Sequence, residues 1–159
     1  MKKTVYVETT VVSYLTSKPS RDLVIAARQQ ATQELWMRLF SDFDGYISAL
    51  VLQEAGLGDP EQAARRLEAI APFPVLELDE EGRSLARRIL AAKAVPDEHP
   101  EDALHIALAA VNGIQILVTW NFAHMNNPVT RVSIREAVQD AGLLCPEICS
   151  PDELLEMDR

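Results

Sequence analysis

A chain of 159 residues, 48% hydrophobic and 25% charged, is long enough for one core and too apolar to be disordered. No apolar run approaches the roughly 20 residues that span a bilayer, so a transmembrane helix is excluded. The apolar stretch after Lys2-Lys3 ends at Glu8, too soon for a signal peptide, and a cytoplasmic protein is expected. The formal net charge of -9 argues against broad electrostatic attraction to nucleic acid, because phosphate binding draws on Lys and Arg. An acidic protein can still reach phosphate through divalent cations held by its carboxylates, through a local cluster of bases, or through a basic partner chain.

Thr4 to Val7 reads as a buried first strand that ends on an acid, Glu8, with a threonine next to cap a helix over Val11 to Leu15. From Asp22 to about Phe43, apolar residues such as Leu23, Ala27, Ala31, Leu35, Leu39 and Phe40 recur at helical spacing and predict the longest helix. Gly45 to Ser48 is a second strand, and Leu50 to Leu57 a helix carrying Glu54. Asp59-Pro60 opens a further helix through Ile70, with an acid at the cap and proline in the first turn. Pro74 to Leu78 suits a third strand, Asp79 to about Ala94 an arginine-rich helix, and Val95 to Pro100 a loop. Glu101 to Val111 is a buried helix that ends near Asn112-Gly113, and Ile114 to Thr119 a strongly apolar fourth strand. Val132 to Ala141 is a helix closed by Gly142, Glu147 to Cys149 a last edge strand, and Pro151 to Met157 a terminal helix. Cys145 and Cys149 have no second pair beside them, which sets aside a zinc site or disulfide framework and leaves two buried thiols.

Short apolar strands alternating with helices predict one α/β domain over residues 1–159, with a central parallel sheet of four to five strands covered by helices on both faces. In such sheets the ligand site lies beyond the carboxyl ends of the strands, near a switch in strand order. Glu8 ends the first strand, Glu54 sits on the helix after the second, Asp102 lies in the first turn of the helix before the fourth, and Asn121 follows the fourth. These positions can converge on one rim. Clustered carboxylates repel unless a cation neutralises them, and hard oxygen ligands suit Mg²⁺ or Mn²⁺. Such a site activates water and stabilises the charge growing on a phosphodiester, with one metal or with two about 4 Å apart. Against this, Glu54 also fits a solvated helical position, Asp102 a charge that complements a helix dipole, and Asn121 a turn residue. His105, three residues after Asp102 and close to the same face, is as compatible with packing as with chemistry.

Tyr6-Val7-Glu8-Thr9-Thr10, Ser48 to Glu54, Asp102-Ala103-Leu104-His105-Ile106-Ala107 and Thr119-Trp120-Asn121-Phe122 together resemble the PIN-domain family, including the VapC-type toxins of bacterial toxin–antitoxin modules. The resemblance covers nearly the whole chain, and it implies a metal-dependent endoribonuclease. It implies Glu8, Glu54 and Asp102 as ligands for Mg²⁺ or Mn²⁺ and Asn121 at a fourth, usually acidic, catalytic position. Thr9 and His105 are then substrate-positioning neighbours. An antitoxin partner and a homodimer follow from the same resemblance, with the exposed face of the second helix, around Trp36 and Met37, as the dimer surface. Two positions depart from the family pattern. The first acid is the longer Glu8 where aspartate is usual, which shifts geometry, and the neutral Asn121 removes a negative charge, which should weaken a second metal. His124 and Asn126 lie just beyond.

The alternative reading is a catalytically inactive PIN-like module that binds RNA or protein, favoured by the net negative charge and by Asn121. A receiver-like or phosphatase-like domain also gathers acids at strand ends. It ranks last, because receivers need an acidic pair before the first helix and a late lysine, and here the acid is single and no lysine follows Lys93.

Overall fold

Val5, Tyr6 and Val7 are wholly buried because their strand, β1 (Lys3–Val7), runs through the middle of the sheet, so both of its faces need apolar side chains. The computed structural model describes residues 1–156. After β1 come α1 (Thr9–Thr16), α2 (Leu23–Leu39), β2 (Phe43–Ser48), α3 (Ala49–Ala55), α4 (Pro60–Ile70) and β3 (Val75–Leu76). The second half holds α5 (Glu80–Ala91), α6 (Pro100–Val111), β4 (Ile116–Val118), α7 (Pro128–Asp140), β5 (Glu147–Cys149) and α8 (Pro151–Glu156).

The strand order is β3-β2-β1-β4-β5, and every pair is parallel. The chain steps outward from β1 to β2 and β3 on one side, then crosses through α6 to β4 and β5 on the other. The order therefore reverses between β1 and β4, and the connections leaving those two strands diverge and open a crevice at their carboxyl ends. The helices form two groups, α1 to α4 with α8, and α5 to α7, each making contacts within itself. Both faces of the sheet are covered, as the unbroken apolar strands require.

Two helix ends differ from the pattern in the sequence by about a turn. Phe43 continues the helical spacing of Leu39 and Phe40, yet it opens β2 and is buried there. The last helical bond at this end runs from Asp42 N to Arg38 O at 2.8 Å, with the Asp42 carboxylate 2.7 Å from Arg38 Nε, and the chain turns into β2 directly after it. α7 starts at Pro128, a turn earlier than expected, because the Asn127 side chain accepts from Thr130 N at 2.9 Å and proline fits the first helical position. Gly113 and Gly142 close α6 and α7 at φ +68° and +83°, a backbone that a β-carbon resists. Met157, expected in the last helix, lies outside the described residues.

Among the described residues no helix is long and apolar enough to cross a membrane. Both cysteines are free thiols, and burial pushes Cys145 up to about 11 and Cys149 up to about 12. Neither should react with iodoacetamide at pH 8 until the chain unfolds, since the thiolate is the nucleophile. Rapid labelling of the native protein, followed by mass spectrometry, would contradict this placement.

Candidate metal-binding and catalytic site

Glu8 leaves β1 and caps α1 itself, in place of the expected threonine. Its Oε2 accepts from Thr10 N at 3.1 Å, and its Oε1 accepts from the Thr10 hydroxyl and from Thr119 Oγ1 at 2.6 Å. Thr119 stands at the end of β4, so this carboxylate bridges the crevice between the two central strands. Thr10 Oγ1 in turn accepts from Trp120 N at 2.9 Å, and Thr119 Oγ1 from Asn121 N at 3.0 Å. The result is a carboxylate only 4% exposed and locked from both sides of the switch point.

Glu54 reaches the same place from α3. Ser48 ends β2 and caps that helix, its Oγ accepting from Val51 N at 3.2 Å, and Glu54 lies six residues on. Glu54 Oε1 accepts from Thr9 Oγ1 at 2.6 Å and faces His105 Nε2 at 2.7 Å. An ionised carboxylate has no hydrogen to give, so Nε2 is the donor. On the other side of the ring, Nδ1 lies 2.6 Å from the Tyr6 hydroxyl, which lies 2.7 Å from Ser48 Oγ. A neutral His105 accepts at Nδ1 and the Tyr6 and Ser48 hydroxyls point toward it; protonation reverses both.

Burial alone would lower the His105 pKa, but its bond to Glu54 and the charges of Glu8, Glu54 and Asp102 hold it above the ordinary histidine value. For Glu54 burial acts upward and is outweighed by the bond and charge of His105 and the bond from Thr9, so its carboxyl sits below the usual range. Burial is the main reason the Tyr6 phenol stays protonated. Tyr6→Phe strands two buried partners and should cost about 1–3 kcal/mol in denaturant unfolding. An unchanged unfolding midpoint would show that this chain of hydroxyls carries no stability.

Asp102 lies in the first turn of α6, 7% exposed. Asn121 hydrogen-bonds its carboxylate. The Asn121 Oδ1 is taken by His124 N at 3.1 Å, which leaves the amide NH₂ to donate to Asp102. Burial first, then the charges of Glu8 and Glu101, raise the Asp102 pKa above the usual carboxylate range.

The six expected site residues thus gather where β1 and β4 end. Glu8, Glu54 and His105 each offer a ligand atom within 4.8 Å of the others, and Asp102 feels the charge of Glu8 and His105. Asn121 sits against Asp102 and holds it, and Thr9 spends its hydroxyl on Glu54. His105, expected to position substrate, is 1% exposed with both nitrogens bonded, so it has no surface for a substrate and positions Glu54 instead. Asn126 is buried and committed to Thr119 O and to Arg131, away from the rim. The sequence assigns no such roles to Thr10, Thr119, Tyr6 and Ser48; the visible signal is that all four lie inside the motifs around Glu8, Glu54 and Trp120.

The donor set fits a divalent cation. A carboxylate accepts at about four lone-pair positions, and here three are filled on Glu8 and two on Glu54, leaving room for a further partner on each. The like-charge strain between Glu8 and Asp102 is what a cation would relieve. An open groove of about 720 Å³ lies elsewhere, lined by Arg131 and Arg135 together with Glu147, Asp152, Glu153 and Glu156, so its acids face two arginines.

The chain is thus a doubly wound parallel α/β domain with carboxylates at its switch point, the place where ligand sites lie in such sheets. The model of the PIN domain matches residues 5–122, a span that contains Glu8, Glu54, Asp102 and Asn121, and the chain belongs to that family. Fourteen chains of solved structures match it. One, in the crystal structure of VapBC2 from Rickettsia felis bound to a DNA fragment from their promoter, has a TM-score of 0.59 over 92% of this chain and 98% of that one. At 14% identity this is a likeness of fold. No curated protein matches the sequence.

Proposed function

We propose that the chain is a Mg²⁺- or Mn²⁺-dependent endoribonuclease that hydrolyses RNA phosphodiester bonds, with Glu8, Glu54 and Asp102 as metal ligands. The observation that supports the reading is that Glu8 and Glu54 bring ligand atoms within 4.8 Å of each other where β1 ends, with Asp102 of α6 near enough for the Glu8 charge to raise its pKa. A bound ion would supply an activated water and neutralise charge on the phosphate. The chain's own residues do the positioning. Thr9 and His105 fix Glu54, Asn121 fixes Asp102, and Thr10 and Thr119 fix Glu8. With its net charge of -9, the protein depends on that cation for any hold on RNA at the site.

The test is cleavage of a labelled RNA in Mg²⁺ or Mn²⁺, with chelator and single-stranded DNA controls. Glu54→Gln should lower the rate by about 100-fold or more. RNA cleavage that survives both chelator and Glu54→Gln would overturn the assignment. The alternative of an inactive RNA- or protein-binding module draws on Glu8, already tied by three donors, and on the amide at position 121. It predicts a folded chain with no metal-dependent cleavage.

The fold likeness to a chain of VapBC2 supports a toxin held by an antitoxin, and we extend the proposal to that partner and to a homodimer. On α2, Trp36 turns inward against Phe73 at 5.3 Å between ring centres, while Met37 beside it faces out at 76% exposed, as Leu23 and Val24 do at the start of the helix. A dimer through this face should dissociate on Met37→Glu, read as mass by light scattering. An unchanged mass would place the contact elsewhere.

A further inference from the structure

We propose that His99, Asp102 and His124 form a second cation site, on the outer rim of the acid cluster, for a borderline transition ion of the Zn²⁺, Co²⁺ or Ni²⁺ class. One ligand atom from each residue lies within 4.8 Å of the other two. His124 Nδ1 is 3.3 Å from Asp102 Oδ2, and the two imidazoles stack with ring centres 4.1 Å apart and planes 25° from parallel. Donors around a tetrahedral ion with bonds near 2.1 Å stand about 3.4 Å apart, so the His124–Asp102 pair is already spaced for one. Stacked rings aim their in-plane nitrogen lone pairs side by side, so the His99 side chain, 43% exposed, must swing out of the stack to close the set.

Both rings hang from fixed backbone. His124 N is held by Asn121 Oδ1 at 3.1 Å. His99 N donates to Pro96 O at 3.0 Å, and its own carbonyl accepts from Asp102 N at 3.1 Å. Neither ring is spent on structure. His99 sits at the N-terminal cap of α6 without making a side-chain cap bond, and its one ionic neighbour, Glu101, is 3.5 Å away. His105, with both nitrogens consumed inside the protein, is the contrast.

Imidazole ligands favour Zn²⁺, Ni²⁺ and Co²⁺, whereas Glu8 and Glu54 offer the hard oxygens that suit Mg²⁺ and Mn²⁺. Three protein ligands leave a position open to water or to a phosphate oxygen. The site shares Asp102 with the acid cluster but needs no RNA cleavage to exist.

Cobalt alone is the probe. Co²⁺ is titrated into the purified full chain in excess Mg²⁺, and binding is read from its visible absorption bands, with circular dichroism to confirm the fold. The wild type should bind saturably, and the His99→Ala/His124→Ala variant at least about 100-fold more weakly. Both histidines are partly exposed, so the double variant should fold; His99→Ala alone gives an intermediate loss. Two results would overturn the site: no Co²⁺ bands with folded wild type, or an unchanged titration in the double variant.

Discussion

Asp102→Asn is expected to melt at a higher temperature than the wild type at neutral pH and to cleave RNA at least about 100-fold more slowly. The two effects share one cause. Burial and the neighbouring charges of Glu8 and Glu101 raise the folded pKa of Asp102, so the fold favours its protonated form. As pH rises from the ordinary carboxylate range through that raised value, ionisation costs stability in the folded state alone. Asparagine cannot ionise, yet its carbonyl still accepts from the Asn121 amide. The gain in melting temperature should therefore be present near pH 7 and shrink in acid, where the wild-type carboxyl is protonated too. On the proposed reading Asp102 is a metal ligand whose charge is held at the expense of the empty fold, the trade-off expected where function needs gathered charge. An Asp102→Asn protein that melts lower at pH 7, or keeps wild-type cleavage, would separate Asp102 from this role.

His105→Ala should be the most damaging single change at the site, by about 3 kcal/mol. The ring is buried and joins two systems: the Ser48–Tyr6 hydroxyls on one side and Glu54 on the other. Removing it leaves the phenol with Ser48 as its one remaining partner, opens a cavity under α6, and frees Glu54 to move. The Glu54 side chain is 25% exposed, so water can take over there and most of the loss falls on the Tyr6 side. Because Tyr6→Phe removes the same hydrogen bond, the double variant should cost less than the two single changes added, with coupling of about 1 kcal/mol. Urea unfolding of the four proteins gives the cycle. Strict additivity would mean that the Tyr6–His105 bond contributes nothing of its own.

Where the sequence was legible, the signal was local. Lys3 to Val7 ending on Glu8 could only be a buried strand with an acid at its exit, and the phase of Ala103, Leu104, Ala107 and Leu108 put Asp102 at the start of a buried helix. The fold class followed from such runs. What stayed hidden depends on which elements lie side by side. Nothing in Thr119 says that β4 is the neighbour of β1, and only that pairing brings its hydroxyl to Glu8. Helical spacing says that His105 faces inward, but not that Tyr6 and Glu54 wait on opposite sides of its ring. His99 sits in a stretch read as loop, and only the turn at Asn121 carries His124 onto it. Phe43 and Pro128 show the limit at element ends, where one apolar residue fits two periods and an Asn-Pro pair opens a helix as readily as it marks a loop.

Mn²⁺ titration followed by electron paramagnetic resonance of the free ion tests the gathered carboxylates most directly. Saturable binding is expected for the wild type, with at least a roughly 100-fold loss in a folded Glu8→Gln/Glu54→Gln variant. A folded wild type that leaves Mn²⁺ free, or a double variant that binds it equally well, would contradict the metal site.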